Sequence, residues 1–113
     1  MGLNNAGLDA LLNDGNEATF YAAIGSGSAS GNENSAARVL LTLGAPSGGV
    51  ITVSNVPLAF TGTPAAAATH LLLFSASSAG TFYGFDALSG DQAYNAGGNY
   101  EVTALTLTTT STA

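Results

Sequence analysis

The chain has 113 residues, one arginine, no lysine, seven carboxylates and no cysteine, for a formal net charge of −6. That length suits one domain around one hydrophobic core, and a lone cation excludes the clustered Lys and Arg that phosphate binding needs, so neither nucleic acid nor an anionic membrane is an expected partner. Disulfides, thiolate nucleophiles and cysteine-held zinc are excluded as well, and charged residues make up only 7% of the chain against about 25% in an average domain.

Gly, Ala, Ser, Thr and Asn fill the space the charges leave. Short side chains lose little rotamer entropy when fixed, so such a surface is suited to burial against a neighbouring subunit.

In chain order, residues 3–13 carry Leu3, Leu8, Leu11 and Leu12 at helical spacing, with Asn4 or Asn5 as N-cap and Gly15 as terminator. A helix this short is marginal alone and must dock its leucines on the domain or on a neighbouring subunit. The expected division is a helical segment over 1–15 and a β-sandwich over 16–113. Met1-Gly2-Leu3-Asn4 has neither a basic nor an apolar leader region, and the apolar runs are far short of a membrane span, so a product made in the host cytoplasm is expected.

From Thr19 the pattern changes to short β-type runs punctuated by Gly, Pro, Ser and Asn. Strands are expected over 19–24, 37–43, 50–55, 57–61, 69–75, 81–87, 91–95 and 100–109. That is an all-β chain of about eight short antiparallel strands, the number a two-sheet jelly roll uses. In the last run Tyr100 and Val102 share one parity and Leu105 and Leu107 the other, so a bulge or sheet crossing is expected near Ala104. Residues 96–99 read as a tight turn, 25–32 as a flexible excursion, and 62–68 as a second connection in which Pro64 and four alanines hold at most a helical turn.

Chemistry finds little support. The one histidine, His70, lies inside the apolar run THLLLFS, where a structural role is the simpler reading. Asp9, Asp14, Glu17, Glu33, Asp86, Asp91 and Glu101 are scattered without metal-ligand spacing. Asp86 and Asp91 flank the turn 87–90, where local backbone bonding accounts for them more simply than a shared calcium ion. No G-x-S-x-G elbow is present. The chain reads as a non-enzyme without cofactor or metal.

Arg38, the single cation, has two open readings: an intrachain pair with a carboxylate such as Glu33, or a bidentate bond to a carboxylate of an adjacent subunit. Tyr21 and Tyr83 stand at opposite parity to Phe20 and Phe82, so one member of each pair is expected to face outward, where tyrosine serves interfaces. The interface candidates are Leu3, Leu8, Leu11, Leu12, Arg38, Tyr21 and Tyr83.

The N-terminal leucines at 3–12, Glu33 with Arg38 ahead of a strand, Thr69-His70 through Phe74-Ser75, and the stretch from Gly48 to the C-terminus with THLLLFSASSAGTFYGFDAL and GDQAYNAGGNYEVTALTLT together resemble a family of small structural proteins of actinobacterial phages. The resemblance spans nearly the whole chain and departs at Ser35-Ala36-Ala37, where a Gly and a Tyr are expected. Members are labelled tail fibre proteins or look like capsid decoration or minor capsid proteins. The resemblance implies a cement protein on the exterior of an HK97-type capsid, a homotrimer whose partners are the major capsid protein and itself. The alternative is a minor tail or tail-fibre component, although the chain has no heptads for a fibre shaft.

Overall fold

A computed structural model describes residues 2–3, 5–14, 19–45, 50–88, 93–103 and 105–108. Its elements in order are β1 (Gly2–Leu3), α1 (Asn5–Asp14), β2 (Tyr21–Gly25), a 3-10 turn (Ser30–Asn32), β3 (Val39–Leu40), β4 (Val50–Thr52), β5 (Leu58–Thr61), β6 (His70–Phe74), β7 (Phe82–Ala87), β8 (Asn99–Val102) and β9 (Thr106–Thr108). Among the described residues the chain is mostly β with one α-helix, and every strand pairing is antiparallel.

The strands form a five-stranded sheet in the order β1-β7-β6-β2-β3 and two ladders, β4-β9 and β5-β8. β6 is central and its run His-Leu-Leu-Leu-Phe is buried on both sides from Leu71 to Phe74, which is why this strand reads as continuously apolar rather than alternating. β5 shows the other signature: Leu58 and Phe60 are buried while Ala59 and Thr61 are exposed, as a strand with one solvated face requires.

The main core lies between the sheet and the ladders. Ala22, Ile24, Leu71 and Leu73 from the sheet meet Ile51, Val53, Leu58, Phe60, Val102 and Leu105 in one buried cluster. Leu3 and Leu11 join the same cluster, so the N-terminal segment docks on its own domain rather than standing apart from it. The fit of α1 against β7 is close: a Cβ at Gly7 would overlap the Tyr83 carbonyl oxygen and come within 2.9 Å of the Tyr83 Cβ.

The last predicted strand divides as its parity change implied. Residues 99–102 pair with β5 and 106–108 with β4, so the chain has left one ladder for the other between Val102 and Thr106. Three expectations differ. Residues 91–95 do not form a strand among the described residues: Ala93 makes a single bridge to Ala67, and Tyr94 exchanges backbone bonds with Ala65 and Ala66 while its ring enters the core; Asp91 and Gln92 lie outside the described residues.

The second difference is the glycine-rich stretch 25–32, which is closed on itself. Ser26 N–H donates to the Asn32 carbonyl at 3.0 Å, and Ala29 N–H donates to Asn32 Oδ1 at 3.0 Å. Composition signals flexibility, but one asparagine side chain supplies the acceptor that a turn lacks. Third, Leu3, expected on the helix, instead belongs to β1 and pairs with Gly84 of β7. The alanines at 65–68 hold no more than the expected turn: Ala66 N–H donates to the Thr63 carbonyl at 3.0 Å and Ala65 takes a left-handed φ of 64°. The turn expected at 96–99 is present, held by Asn95 Oδ1 accepting from the N–H groups of Gly97 and Asn99, both at 2.9 Å.

Candidate interaction surface

The five-stranded sheet has a second face, away from the main core, and the strand register defines it residue by residue. One cross-strand row runs Leu40, Tyr21, Phe74, Phe82, and the next outward row runs Ala23, Leu72, Phe85. The row between them, Val39, Ala22, Leu73 and Gly84, points into the core, as the pleat demands. Ala23, Leu72 and Phe74 form a separate buried cluster on this outer face, with Phe82 and Phe85 half-buried at its margin.

A loop and a single arginine cover that cluster. The Arg38 Cζ stands 3.6 Å above the centre of the Phe74 ring, close enough for the ring quadrupole to attract the guanidinium. Its Nε and Nη2 donate to the two carboxylate oxygens of Glu33, both at 2.9 Å, and Nη1 donates to the carbonyls of Ala76 at 2.8 Å and Ala79 at 2.7 Å. Of the two readings of Arg38, the structure realises the intrachain one. Hydrogen bonding to Glu33 raises the guanidinium pKa above its already high ordinary value, against a smaller opposing effect of burial.

The clamp ties three segments together. Glu33 sits at the end of the glycine-rich loop, Arg38 leads into β3, and Ala76 and Ala79 belong to the turn joining β6 to β7, where Ala79 itself has a positive φ of 54°. The segment behind Glu33 is pinned to β2: Asn34 and Ser35 N–H groups donate to the Ile24 carbonyl at 2.9 and 3.2 Å, and Ser35 Oγ accepts from Ile24 N–H at 3.1 Å. Asn34 accepts the Tyr94 hydroxyl at 2.8 Å, and burial, the largest influence on that phenol, raises its pKa.

The predicted interface residues separate into different environments. Leu3 and Leu11 are fully enclosed in the chain's own core, and a side chain already out of contact with solvent offers nothing to a partner. Leu12 projects from α1 at 61% exposure; the Leu8 side chain lies outside the described residues. Tyr21 is half-buried on the outer face, as its parity implied. Tyr83 turns the other way. A register shift between Leu73 and Phe74 lets β7 carry one extra residue, so Phe82 stays opposite Phe74 outside while Tyr83 packs on Phe20 inside, ring centres 5.0 Å apart.

Leu40, which no periodicity in the sequence marked for exposure, stands 50% exposed on the edge strand. Its signal was available only in the pairing Leu40–Tyr21, which places it outward. The edge itself is blunted: Asn55 Nδ2 donates to the Leu40 carbonyl at 2.9 Å, and Asn55 Oδ1 accepts from Thr42 N–H at 2.9 Å, so a side-chain amide occupies hydrogen bonds that an added strand would want.

His70 is a half-buried residue of the same face. Its Nδ1 lies 2.8 Å from Thr69 Oγ1 and its ring meets Phe85 edge-on, centres 6.1 Å apart. Asp86 and Glu101 line a cleft of about 270 Å³ with Tyr100, over a floor of Leu71, Val102 and Leu105; Asp91 lies outside the described residues. No group of three or more His, Cys, Asp or Glu side chains comes together to hold a metal among the described residues. Compared with protein-family models, with curated proteins and with solved structures, the chain matches none.

Proposed function

We propose that the chain is a structural virion protein of a bacteriophage, a capsid decoration protein that lies on the exterior of an HK97-type shell as a homotrimer and performs no catalysis. The observation that carries this reading is the state of its charge. The one cation of a −6 chain is engaged by Glu33 and by backbone carbonyls inside the same molecule, so recognition of partners rests on apolar and backbone contacts over a surface of small residues. The resemblance of its motifs to small phage structural proteins supplies the location.

The fine topology of the sandwich is part of the same proposal. The pairings β4-β9, β5-β8 and β6-β7 are nested, the outermost strands pairing with each other and the innermost forming a hairpin. A long antiparallel hairpin folded over on itself produces that nesting, which supports a jelly-roll-like wrap.

Quantifying the protein in purified virions tests the location. Hundreds of copies per particle support capsid decoration, and a handful support the alternative, a minor tail or tail-fibre component. Attachment to shells is expected to survive molar NaCl, because screening that shortens the Debye length from about 8 Å to about 3 Å weakens surface ion pairs and leaves apolar burial intact. Particles that shed the protein on that salt step would overturn the reading.

A further inference from the structure

We infer that the outer face of the five-stranded sheet, centred on Leu40, Tyr21, Phe82 and Phe85, is the surface through which copies of this chain associate with one another. The inference deepens the structural reading above and rests on it for the requirement that the protein assembles with itself.

The face presents apolar area in register. Leu40, Tyr21, Phe74 and Phe82 are directly opposite one another across four adjacent strands, and Phe85 follows in the next outward row. Phe74 is already covered by Arg38, at 3% exposure, but Leu40 is half exposed and Tyr21, Phe82 and Phe85 keep part of their surface in water. Aromatic rings on a rigid sheet lose little freedom on binding and contribute large areas of contact, the properties of interface anchors.

Charge selects the occupant. Every copy carries −6, so two copies repel wherever their carboxylates meet. The outward rows of this face contain no carboxylate: Asp86 pairs with Leu71 in an inward row, Asp9 and Asp14 are on α1, and Glu101 is on β8, while Glu17 and Asp91 lie outside the described residues. Glu33, at the corner, is neutralised by Arg38. A cyclic assembly brings the same face of each copy around one axis, and strand rows without a carboxylate are the ones that copies of an acidic chain bring together at the least penalty. Strand addition at the β3 edge, beside Leu40, is disfavoured because Asn55 occupies the hydrogen bonds of the Leu40 carbonyl and the Thr42 N–H.

The test compares three single variants of the full chain by sedimentation equilibrium over a range of concentrations, each checked for native folding by circular dichroism and urea unfolding. Leu40→Glu and Phe85→Glu place a charge on the face, and Leu40 is exposed enough for its variant to keep the fold. Leu12→Glu, at a comparably exposed leucine on α1, is the control. The expected result is an oligomeric wild type, a dissociation constant raised about tenfold or more by Leu40→Glu and Phe85→Glu, and no change with Leu12→Glu. A monomeric wild type, or an oligomer that survives Leu40→Glu and dissociates with Leu12→Glu, overturns the inference. The capsid reading is tested separately by adding the proteins to undecorated shells: self-association through this face without shell binding removes that reading and leaves the surface standing, whereas shell binding with an oligomer indifferent to Leu40→Glu does the reverse.

Discussion

The two faces of the five-stranded sheet are closed by different physics. On the inner face Ala22, Ile24, Leu71 and Leu73 are covered by strands that bring their own apolar side chains, so burial is distributed over many residues. On the outer face Ala23, Leu72 and Phe74 are covered by a polar, glycine-rich loop and the guanidinium of one arginine, and Phe82, Phe85 and Leu40 at the margin stay partly in water. A core closed by area tolerates the loss of any one charge; a face closed by a clamp depends on the residues that make it.

The largest effect is expected on the inner side. Phe60→Ala removes a fully buried ring from the centre of the main cluster and is expected to cost about 3–5 kcal/mol of stability, measured by urea unfolding. An unchanged midpoint would mean that the sheet and the ladders do not share one core.

Arg38→Ala comes next. It strands the half-buried Glu33 carboxylate, frees two loop carbonyls and uncovers Phe74, for an expected loss of about 2–3 kcal/mol. Arg38→Lys keeps the charge but not the fork that meets both Glu33 oxygens and is expected to recover less than half of the loss. Hydrogen exchange separates the faces: protection should fall in 26–38 and 75–81 while β5 and β8 keep theirs. A uniform loss of protection would make the clamp part of the main core. Gly7→Ala, which drives a methyl into the Tyr83 backbone, is expected to cost about 1–3 kcal/mol through overpacking.

Tyr94→Phe is expected to cost about 1 kcal/mol by removing the bond to Asn34, and it carries a pH signature. The folded-state pKa of Tyr94 is raised above the ordinary 10.0, so its stabilising contribution is complete below pH 10.0 and is lost as pH rises through the folded value. The wild type should lose stability above that pH more steeply than Tyr94→Phe, in parallel unfolding series. Smallest of all for folding is Leu40→Glu, expected within about 0.5 kcal/mol of wild type because half the side chain is already in water; its consequence is for assembly alone.

The sequence by itself determined the class of the protein and much of its local structure. Short alternating runs and turn residues mark an antiparallel β chain, the parity change between Val102 and Leu105 marks the passage between ladders, and Asn95 with two glycines marks the 96–99 turn, because each depends on neighbours a few residues away. Glu33 was recognisable as one partner of Arg38 for the same reason, five residues apart.

Only the tertiary structure decided which face each aromatic takes and what covers it. Parity required one residue of each pair Phe20–Tyr21 and Phe82–Tyr83 to face outward without saying which, and in β7 a one-residue register shift against β6 kept Phe82 outside and turned Tyr83 in, a bulge that no local pattern announces. Whether the N-terminal leucines meet the domain or a neighbour was equally undecided by periodicity, since an amphipathic stripe specifies that a partner exists and not which one; contacts with β1, β7 and the ladders enclosed Leu3 and Leu11 and left Leu12 outside. The outer face exists as a surface only because β2 pairs with the distant β6 and so aligns Leu40 and Tyr21 in one row with Phe74 and Phe82, and long-range register is a property of the folded chain as a whole.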